Sequence, residues 1–257
     1  MKSRHEIASV DGMVAILVNL ISKGYRYHFT GTISDPSKWP IRDSRMLEYY
    51  EADLPKWTRE RRRARGEANF RYLRFQGWFI VLATEGSAPR FWEEDRHRIR
   101  DIRNIPVRFK GYSISYRQGG WKDRRLWADP LVRERDMKWH VRVQLDAETY
   151  AGVKAYFLNM ATHRQADYLA REFLDLHFQP YRPVREQLLA ILRAVNRQRQ
   201  LAGYQRIPYS VIRFKRRIVR VFRAREPDQP ATNIGLVGPK NSTQRALPMN
   251  ECRASSI

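Results

Sequence analysis

Cysteine is almost absent from this chain, since Cys252 is the only cysteine among its 257 residues. A single thiol cannot form an internal disulfide, and it cannot supply a cysteine-based zinc site. This usage is typical of a reducing compartment and favours a cytoplasmic location. Cys252 lies in a region that we expect to be a tail, so it is a poor candidate for a nucleophile.

Long apolar runs are missing as well. The longest one near the N-terminus, residues 13–20, contains Asn19 and is shorter than the roughly 20 residues that span a bilayer. Asp11 and Gly12 precede this run directly, where a secretion signal would carry a cationic segment. We therefore expect no membrane-spanning helix and no cleaved signal.

Acidic residues are scarce relative to basic ones. Lys and Arg number 49 against 27 Asp and Glu, which gives a formal net charge of +22. Such a field attracts polyanions, and the excess is far larger than solubility alone requires. A membrane surface is the weaker match, because the basic residues are spread through aromatic-rich segments rather than gathered in one block. The composition therefore predicts a nucleic-acid partner, DNA or RNA, and no membrane.

Several catalytic motifs of fixed spacing are also absent. The chain has no phosphate-binding G-x-x-x-x-G-K-[ST] loop, no dinucleotide-binding glycine fingerprint, no H-E-x-x-H and no G-x-S-x-G. The sequence thus indicates a class of partner more strongly than it indicates a reaction.

The most informative stretch that is present covers residues 70–86. Its second half, residues 78–84, is the most apolar run of strand-like composition and predicts a buried strand. An arginine-rich segment comes before it, and we expect a helix over residues 57–75. Only Glu60 and Glu67 offset the arginines of this segment, which is typical of a helix that contacts phosphates.

Two further segments alternate in polarity as half-buried strands do. In residues 25–33 the aromatic side chains share one face with Ile33, while Arg26, His28, Thr30 and Thr32 share the other. In residues 139–145 the polar face carries His140, Arg142 and Gln144. Such a face can bind phosphates and bases, although ordinary half-solvated strands look the same.

The order of predicted elements is typical of an α+β fold. We expect a mostly antiparallel sheet with helices packed on one face, a helical C-terminal half and a disordered C-terminal tail. Residues 1–176 would form a core domain with a basic sheet face, and residues 177–223 would add a helix and a hairpin. Residues 224–257 would be the tail, since they are rich in Pro, Asn, Ser and Gly.

Arginines and tryptophans supply the predicted nucleic-acid contacts. Arginines of the basic helix and of a later amphipathic helix would bind phosphates, and two tryptophans in a Gly- and Arg-containing segment would stack on bases. The predicted contact residues are Arg59, Arg62, Arg63, Arg65, Arg142, Arg193, Arg197, Trp121 and Trp127.

One constellation could support catalysis. His28 and His140 lie on the polar faces of predicted strands, and Glu85 follows the end of a third strand. If these strands are neighbours, the three side chains could hold a divalent ion against a phosphate. Tyr150 and Lys154 lie one helical turn apart on the next helix. A tyrosine hydroxyl can accept a phosphoryl group, and a nearby ammonium favours the phenolate.

The order of these parts resembles the HUH-type nicking enzymes of rolling-circle replication and transposition. The matching segments are Phe29-Thr30-Gly31-Thr32, His140-Val141-Arg142, and Tyr150 with Lys154, and they span residues 25–156 at most. Arg142 stands where that family has its second histidine. The resemblance implies a single-strand DNA endonuclease that uses Mg²⁺ or Mn²⁺ and a tyrosine nucleophile, in a mobile-element, replication or defence setting.

Two other hypotheses stay open. A metal-dependent nuclease could use the acidic residues Glu93, Glu94, Asp95 and Asp101, although acidic runs beside arginines are more often ion-paired helix surface. A scaffold could instead dock an acidic protein partner through the basic surface. Aromatic residues interleaved with arginines favour nucleic acid over that scaffold, because base stacking and phosphate contact use those two residue types.

Overall fold

A computed structural model describes residues 5–126, 129–213 and 221–222, and of residues 121–134 it describes the main chain only. The helices are α1 Val10–Ser22, α2 Trp39–Tyr49, α3 Lys56–Ala64, α4 Pro89–Glu94, α5 Ala147–Met160, α6 Ala166–Asp175 and α7 Arg182–Leu201. The strands are β1 Tyr25–Thr32, β2 Phe70–Phe75, β3 Trp78–Thr84, β4 Arg100–Asp101, β5 Val107–Phe109, β6 Tyr112–Gln118, β7 Trp121–Leu126, β8 Asp129–Arg135 and β9 Trp139–Leu145. Short 3₁₀ turns cover Pro36–Lys38 and Tyr209–Val211.

The strands pair in three antiparallel groups. A four-stranded sheet has the order β2-β3-β1-β4, a three-stranded sheet has the order β5-β6-β9, and β7 pairs with β8. The predicted α+β class with antiparallel pairing is confirmed. The predicted buried strand is also confirmed, since β3 lies between β1 and β2 and is buried from Phe79 to Thr84.

The prediction of one long helix over residues 57–75 is wrong. Helix α3 ends at Ala64, Gly66 follows with a φ of 72°, and β2 then pairs with β3. Phe70 and Tyr72 are buried in the aromatic packing on one side of the sheet, and aromatic side chains favour strands when a partner strand is available. Pairing with the neighbouring β3 therefore outweighed the helical preference of the arginine-rich sequence.

Apolar side chains pack on both faces of the four-stranded sheet. On one face Phe29, Phe79 and Val81 belong to a small aromatic cluster that also includes Phe91 of α4. On the other face Leu73, Ile80 and Leu82 belong to the larger core. The open polar face predicted for residues 25–33 is found only in part: Thr30 and Thr32 are exposed, whereas His28 on β1 is only 4% exposed.

Among the described residues, helices pack on one face of the three-stranded sheet. Val107, Ile114 and Val143 point into the larger core, where they meet residues of α5 and α7 such as Phe157 and Leu188. The amide of Gln187 fixes α7 to the end of β9: its Oε1 accepts from the Leu145 N–H at 2.8 Å, and its Nε2 donates to the Leu145 carbonyl at 3.1 Å. The opposite face of this sheet carries the polar side chains.

Side-chain caps fix the starts of two helices. Ser9 caps α1, because its hydroxyl accepts from the Gly12 N–H at 3.0 Å. Asp146 caps α5 and accepts from the Thr149 N–H at 2.8 Å. Within the segment expected to form a hairpin, Tyr209–Val211 forms a 3₁₀ turn.

The described residues, 5–126, 129–213 and 221–222, fall within one compact unit. Much of the hairpin predicted within residues 177–223 lies outside the described residues, as do Trp127 and the predicted tail, residues 224–257. None of the helices in the described ranges is long and apolar enough to cross a membrane.

Candidate nucleic-acid interface

The polar face of the three-stranded sheet brings several candidate residues together. Residues paired across neighbouring strands point to the same face, and so do residues two apart along a strand. The register pairs Arg108 with Ser113, Ser113 with Gln144, Ser115 with Arg142, and Arg117 with His140. These seven residues form what we call the basic sheet face: Arg108, Ser113, Ser115, Arg117, His140, Arg142 and Gln144.

The two serines form the floor of this face, and the arginines stand above it. Ser113 and Ser115 are 7% and 5% exposed, whereas Arg108, Arg117 and Arg142 are exposed. A cavity of about 150 Å³ lies between them, lined by both serines together with Pro106, Arg117, Arg142 and Gln144. Because serine side chains are short, the floor leaves room for an oxygen-rich group between the guanidinium groups.

The positive charge of this face is not neutralised locally. Arg108, Arg117 and Arg142 form no ion pair with a carboxylate anywhere in the described part of the chain. His140 has an acidic partner, since its Nε2 lies 2.9 Å from Oδ2 of Asp136. Three free guanidinium groups on one open surface attract anions, and at short range they offer fork-shaped donors that match phosphate oxygens.

Aromatic packing fixes the far end of the sheet. The rings of Tyr116 and Trp139 stack at 5.3 Å, and the guanidinium of Arg26 lies 5.1 Å from the Tyr116 ring. Trp139 was predicted to face inward, but it is 42% exposed because it stands where β9 begins. The stack therefore orders the end of the sheet next to Arg117 and His140.

The predicted phosphate contacts of α3 mostly bind groups of the chain itself. Arg62 pairs with Glu51 and Glu67, and Arg65 donates to Glu67 at 2.7 Å. The hydrogen bond from Arg65 lowers the pKa of the Glu67 carboxyl, and Glu67 in turn raises the pKa of Arg65.

Main-chain carbonyls hold the other two predicted contacts of this segment. Arg59 donates to the Leu54 carbonyl, and Arg63 donates to the Lys23 carbonyl at 3.1 Å. The exposed pair on α3 is instead Trp57 and Arg61, whose guanidinium lies 4.7 Å from the indole ring. The sequence analysis missed Trp57, although its spacing from Arg61, one helical turn, is visible in the sequence.

The other predicted contacts lie on α7, on β7 and on the basic sheet face. Arg193 and Arg197 lie one turn apart on the exposed side of α7, and neither forms an ion pair with a carboxylate of the described ranges. Trp121 begins β7, but its side chain is not among those described. Arg142 lies on the basic sheet face as predicted.

The structure does not bring the predicted metal ligands together. His28 is buried in the four-stranded sheet, whereas His140 lies on the three-stranded one. Glu85 is engaged by Arg26 at 3.3 Å and by Arg103 at 3.5 Å. Within the described ranges, no group of three or more His, Cys, Asp or Glu side chains could hold a metal ion. The predicted Mg²⁺ or Mn²⁺ site therefore lacks its ligand set.

The predicted nucleophile and its lysine lie on α5. Tyr150 packs against the larger core and is half-buried, and Lys154 follows one turn later, also half-buried. This spacing agrees with the sequence prediction, but no described metal cluster accompanies it. The nicking activity that the resemblance implies stays a prediction.

Side chains of the chain itself donate hydrogen bonds to three of the four acidic residues considered for a metal-dependent nuclease. Glu94 accepts from Tyr49, Asp95 accepts from Tyr50 at 2.7 Å, and Asp101 accepts from Arg103. The structure thus does not assemble Glu93, Glu94, Asp95 and Asp101 into a metal site, in line with the absence of any such cluster among the residues described.

A cavity of about 890 Å³ lies beside the small aromatic cluster. Tyr49, Tyr50, Phe70 and Phe91 are among its lining residues, together with Arg45, Arg62 and Arg90. Arg62 is already paired with Glu51, and both tyrosines donate to carboxylates. This cavity is consequently aromatic in character and offers fewer free donors than the basic sheet face.

Two comparisons with known proteins give no family for this chain. No model of a known protein family matches it, and a search of curated proteins finds no match.

Proposed function

We propose that this chain is a cytoplasmic nucleic-acid-binding protein whose basic sheet face contacts the phosphate backbone. The observation that carries the proposal is a set of three arginines, Arg108, Arg117 and Arg142, that pair with no carboxylate of the described residues and stand above a floor of two buried serines. Arg193 and Arg197 on α7 extend the set of exposed cations, and Trp57 with Arg61 offers an aromatic surface for stacking. The net charge of +22 supports a polyanion as the partner.

The spacing of these cations favours an extended polyanion over one carboxylate. Neighbouring strands lie about 5 Å apart and residues two apart on a strand lie about 7 Å apart, so the guanidinium groups repeat at short intervals across the sheet. Arg117 and Arg142 flank the same cavity, while Arg108 stands at the outer strand. A chain of phosphates can contact several of them together, whereas the carboxylates of a folded protein are seldom so dense.

The experiment is a salt titration of affinity for single-stranded DNA, duplex DNA and structured RNA. Affinity falls as salt rises, and each lost phosphate contact makes the negative slope of log affinity against log salt shallower by about 0.9 for a duplex, or about 0.7 for a single strand. We expect Arg142→Gln to make the slope shallower by about that amount. Arg117→Gln combined with it should make the slope shallower again.

Arg182→Gln is the matched control. Arg182 is exposed and pairs with Glu186 at 2.7 Å, so the same substitution removes the same charge away from the basic sheet face. Equal slopes for Arg142→Gln and Arg182→Gln would show that the attraction is diffuse and would remove the support for this face. No binding to any of the three nucleic acids at moderate salt would instead favour an acidic protein partner.

A further inference from the structure

A second polar cavity lies at the outer edge of β1, in the four-stranded sheet. Its volume is about 290 Å³, and it is lined by His28, Phe29, Thr30, His97, Arg98 and Arg100. Strand β4 pairs only with Tyr27 and His28, so among the described strands none covers the rest of this edge of β1. The cavity therefore lies next to Arg100, the first residue of β4.

One main-chain donor, the N–H of Thr30, lies on the cavity side of β1. The Ile102 N–H donates to the Arg26 carbonyl at 2.9 Å on the outer edge, while the Ile33 N–H donates to the Gly77 carbonyl at 2.7 Å on the β3 side. Because successive residues of an antiparallel strand direct their main-chain groups to alternate sides, residues 28, 30 and 32 face the outer edge. The Thr30 N–H thus points to the side that no described strand covers, close to the hydroxyl of the same residue.

A buried imidazole forms one wall. His28 is only 4% exposed, and its Nδ1 is buried with no hydrogen-bond partner among the residues described. Burial lowers the pKa of His28 to about 4; Asp101 opposes this shift and Arg100 adds to it. The ring is therefore neutral near pH 7 and has one N–H to donate. A buried polar atom without a partner is uncommon, and here it belongs to a side chain that lines a cavity.

The arginines of the cavity are held in place by the chain. The guanidinium of Arg98 lies 4.4 Å from the Phe29 ring and 3.7 Å from Oδ1 of Asp95. Nη1 of Arg100 donates to the carbonyls of His97 and Ile99 at 2.9 and 3.1 Å. Arg100 thus keeps its Nε and Nη2 for a ligand, and its guanidinium is already oriented, which lowers the entropy lost on binding.

We propose that this cavity binds a phosphate group, with Arg100 and Arg98 providing charge and Thr30 and His28 providing neutral donors. Its volume lies just below the range of roughly 300–1,000 Å³ for drug-sized ligands, so it suits one phosphate with a few waters. No carboxylate lines it, which favours an anion over a cation. The site is separate from the basic sheet face and does not depend on the function proposed there.

Inorganic phosphate is the first probe, titrated into the full chain at constant ionic strength with chloride as the reference anion. We expect saturable binding and a shift of the His28 imidazole resonances in NMR spectra. Arg100→Gln should weaken phosphate binding by about tenfold or more, since losing a charge-assisted hydrogen bond has an effect of that order.

Arg96→Gln is the matched control, because Arg96 is exposed in the loop that leads to β4 but does not line the cavity. Equal losses for Arg96→Gln and Arg100→Gln would overturn the proposal, and so would His28 resonances that do not respond to phosphate. The NMR readout uses the unaltered chain, so it does not depend on whether a His28 variant folds.

The source of the phosphate is separated with two oligonucleotides that differ only in a 5′-phosphate or a 5′-hydroxyl. Tighter binding of the phosphorylated one, lost in Arg100→Gln, assigns the site to the end of a nucleic acid. Equal binding of both, with inorganic phosphate still saturating the site, assigns it to a small phosphate compound. Loss of nucleic-acid binding in Arg142→Gln with phosphate binding intact would concern the basic sheet face alone.

Discussion

At the scale of single residues, arginine has two distinct roles in this chain. Arg74 is 4% exposed, and its Nε lies 2.9 Å from both carboxylate oxygens of Asp43. Arg199 is 2% exposed and donates only to carbonyls, those of Ala161, Arg164 and Gln205, at 2.6 to 2.8 Å. Such arginines hold the fold together, whereas Arg108, Arg117 and Arg142 are left free on the surface.

The buried pair of Asp43 and Arg74 yields the first stability prediction. Asp43 also accepts from the hydroxyl of Tyr72 at 2.6 Å. Its removal leaves the buried guanidinium of Arg74 with Glu6, 3.4 Å from Nη2, as the acidic partner that remains among the described residues. We expect Asp43→Ala to lower the free energy of unfolding by about 3–5 kcal/mol, measured by urea denaturation. The exposed Asp53→Ala should change it by less than about 0.5 kcal/mol. Similar losses in both variants would contradict this role for Asp43.

The same carboxylate makes stability depend on pH. Burial raises the pKa of Asp43, but the hydrogen bonds from His5, Tyr72 and Arg74 and the charge of Arg74 outweigh it, so the net pKa is lowered. A folded pKa below the unfolded value of about 3.9 means that the stabilisation is present above that value and is lost as pH falls through the folded pKa. The stability difference between the unaltered chain and Asp43→Asn should therefore shrink in urea titrations below about pH 4. A constant difference down to low pH would contradict the shift.

At the scale of elements, the sequence predicted the strands whose side chains alternate in polarity along their own length. Alternation located β1 and β9, although their partners β3 and β6 are not adjacent to them in the chain. Residues 57–75 failed because charge dominated the pattern, while the strand character of β2 depends on β3 across the hairpin.

Only part of the candidate site could be predicted, because alternation in polarity identified one of its strands. Arg142 and His140 were recognised by alternation, but Arg108 and Arg117 were not. These two arginines lie on separate strands, because Lys110 and Gly111, at φ values of 45° and 81°, turn the chain between β5 and β6. Two residues with positive φ are typical of a tight hairpin, but Lys-Gly is a weaker signal of it than Asn-Gly.

The turn between α3 and β2 packs against the turn after β3, and two glycines test this contact. The Ser87 N–H donates to the Gly66 carbonyl at 2.8 Å, and the Ala68 N–H donates to the Ser87 carbonyl at 3.0 Å. A Cβ on Gly86, at a φ of 137°, would lie 2.6 Å from the main chain of Glu67 and Ala68. A Cβ on Gly66, at a φ of 72°, would meet no atom within 4 Å.

Gly66→Ala should therefore lower the free energy of unfolding by only about 1–2 kcal/mol, the cost of the left-handed conformation. Gly86→Ala adds a clash with main-chain atoms and should lower it by more. Urea denaturation of both variants measures the difference. Equal effects would mean that the two turns are not in contact.

At the scale of the whole molecule, the net charge of +22 sets the response to salt. Like charges repel in the compact state, and added salt screens this repulsion over a Debye length of about 10 Å at 0.1 M. We expect the Tm to rise as NaCl increases from about 0.01 to 0.15 M. A Tm that falls over this range would show that surface ion pairs, such as Arg182 with Glu186, outweigh the repulsion.

The uncovered edge of β1 has a consequence for solubility. An edge with free main-chain groups is a template on which a second chain can add a strand, the first step of many aggregates. Here Arg98 and Arg100 flank that edge, and charged side chains beside an edge oppose such pairing. The two arginines would therefore protect the chain from self-association at the site where they attract a phosphate, and neutralising them would make the protein more prone to aggregate.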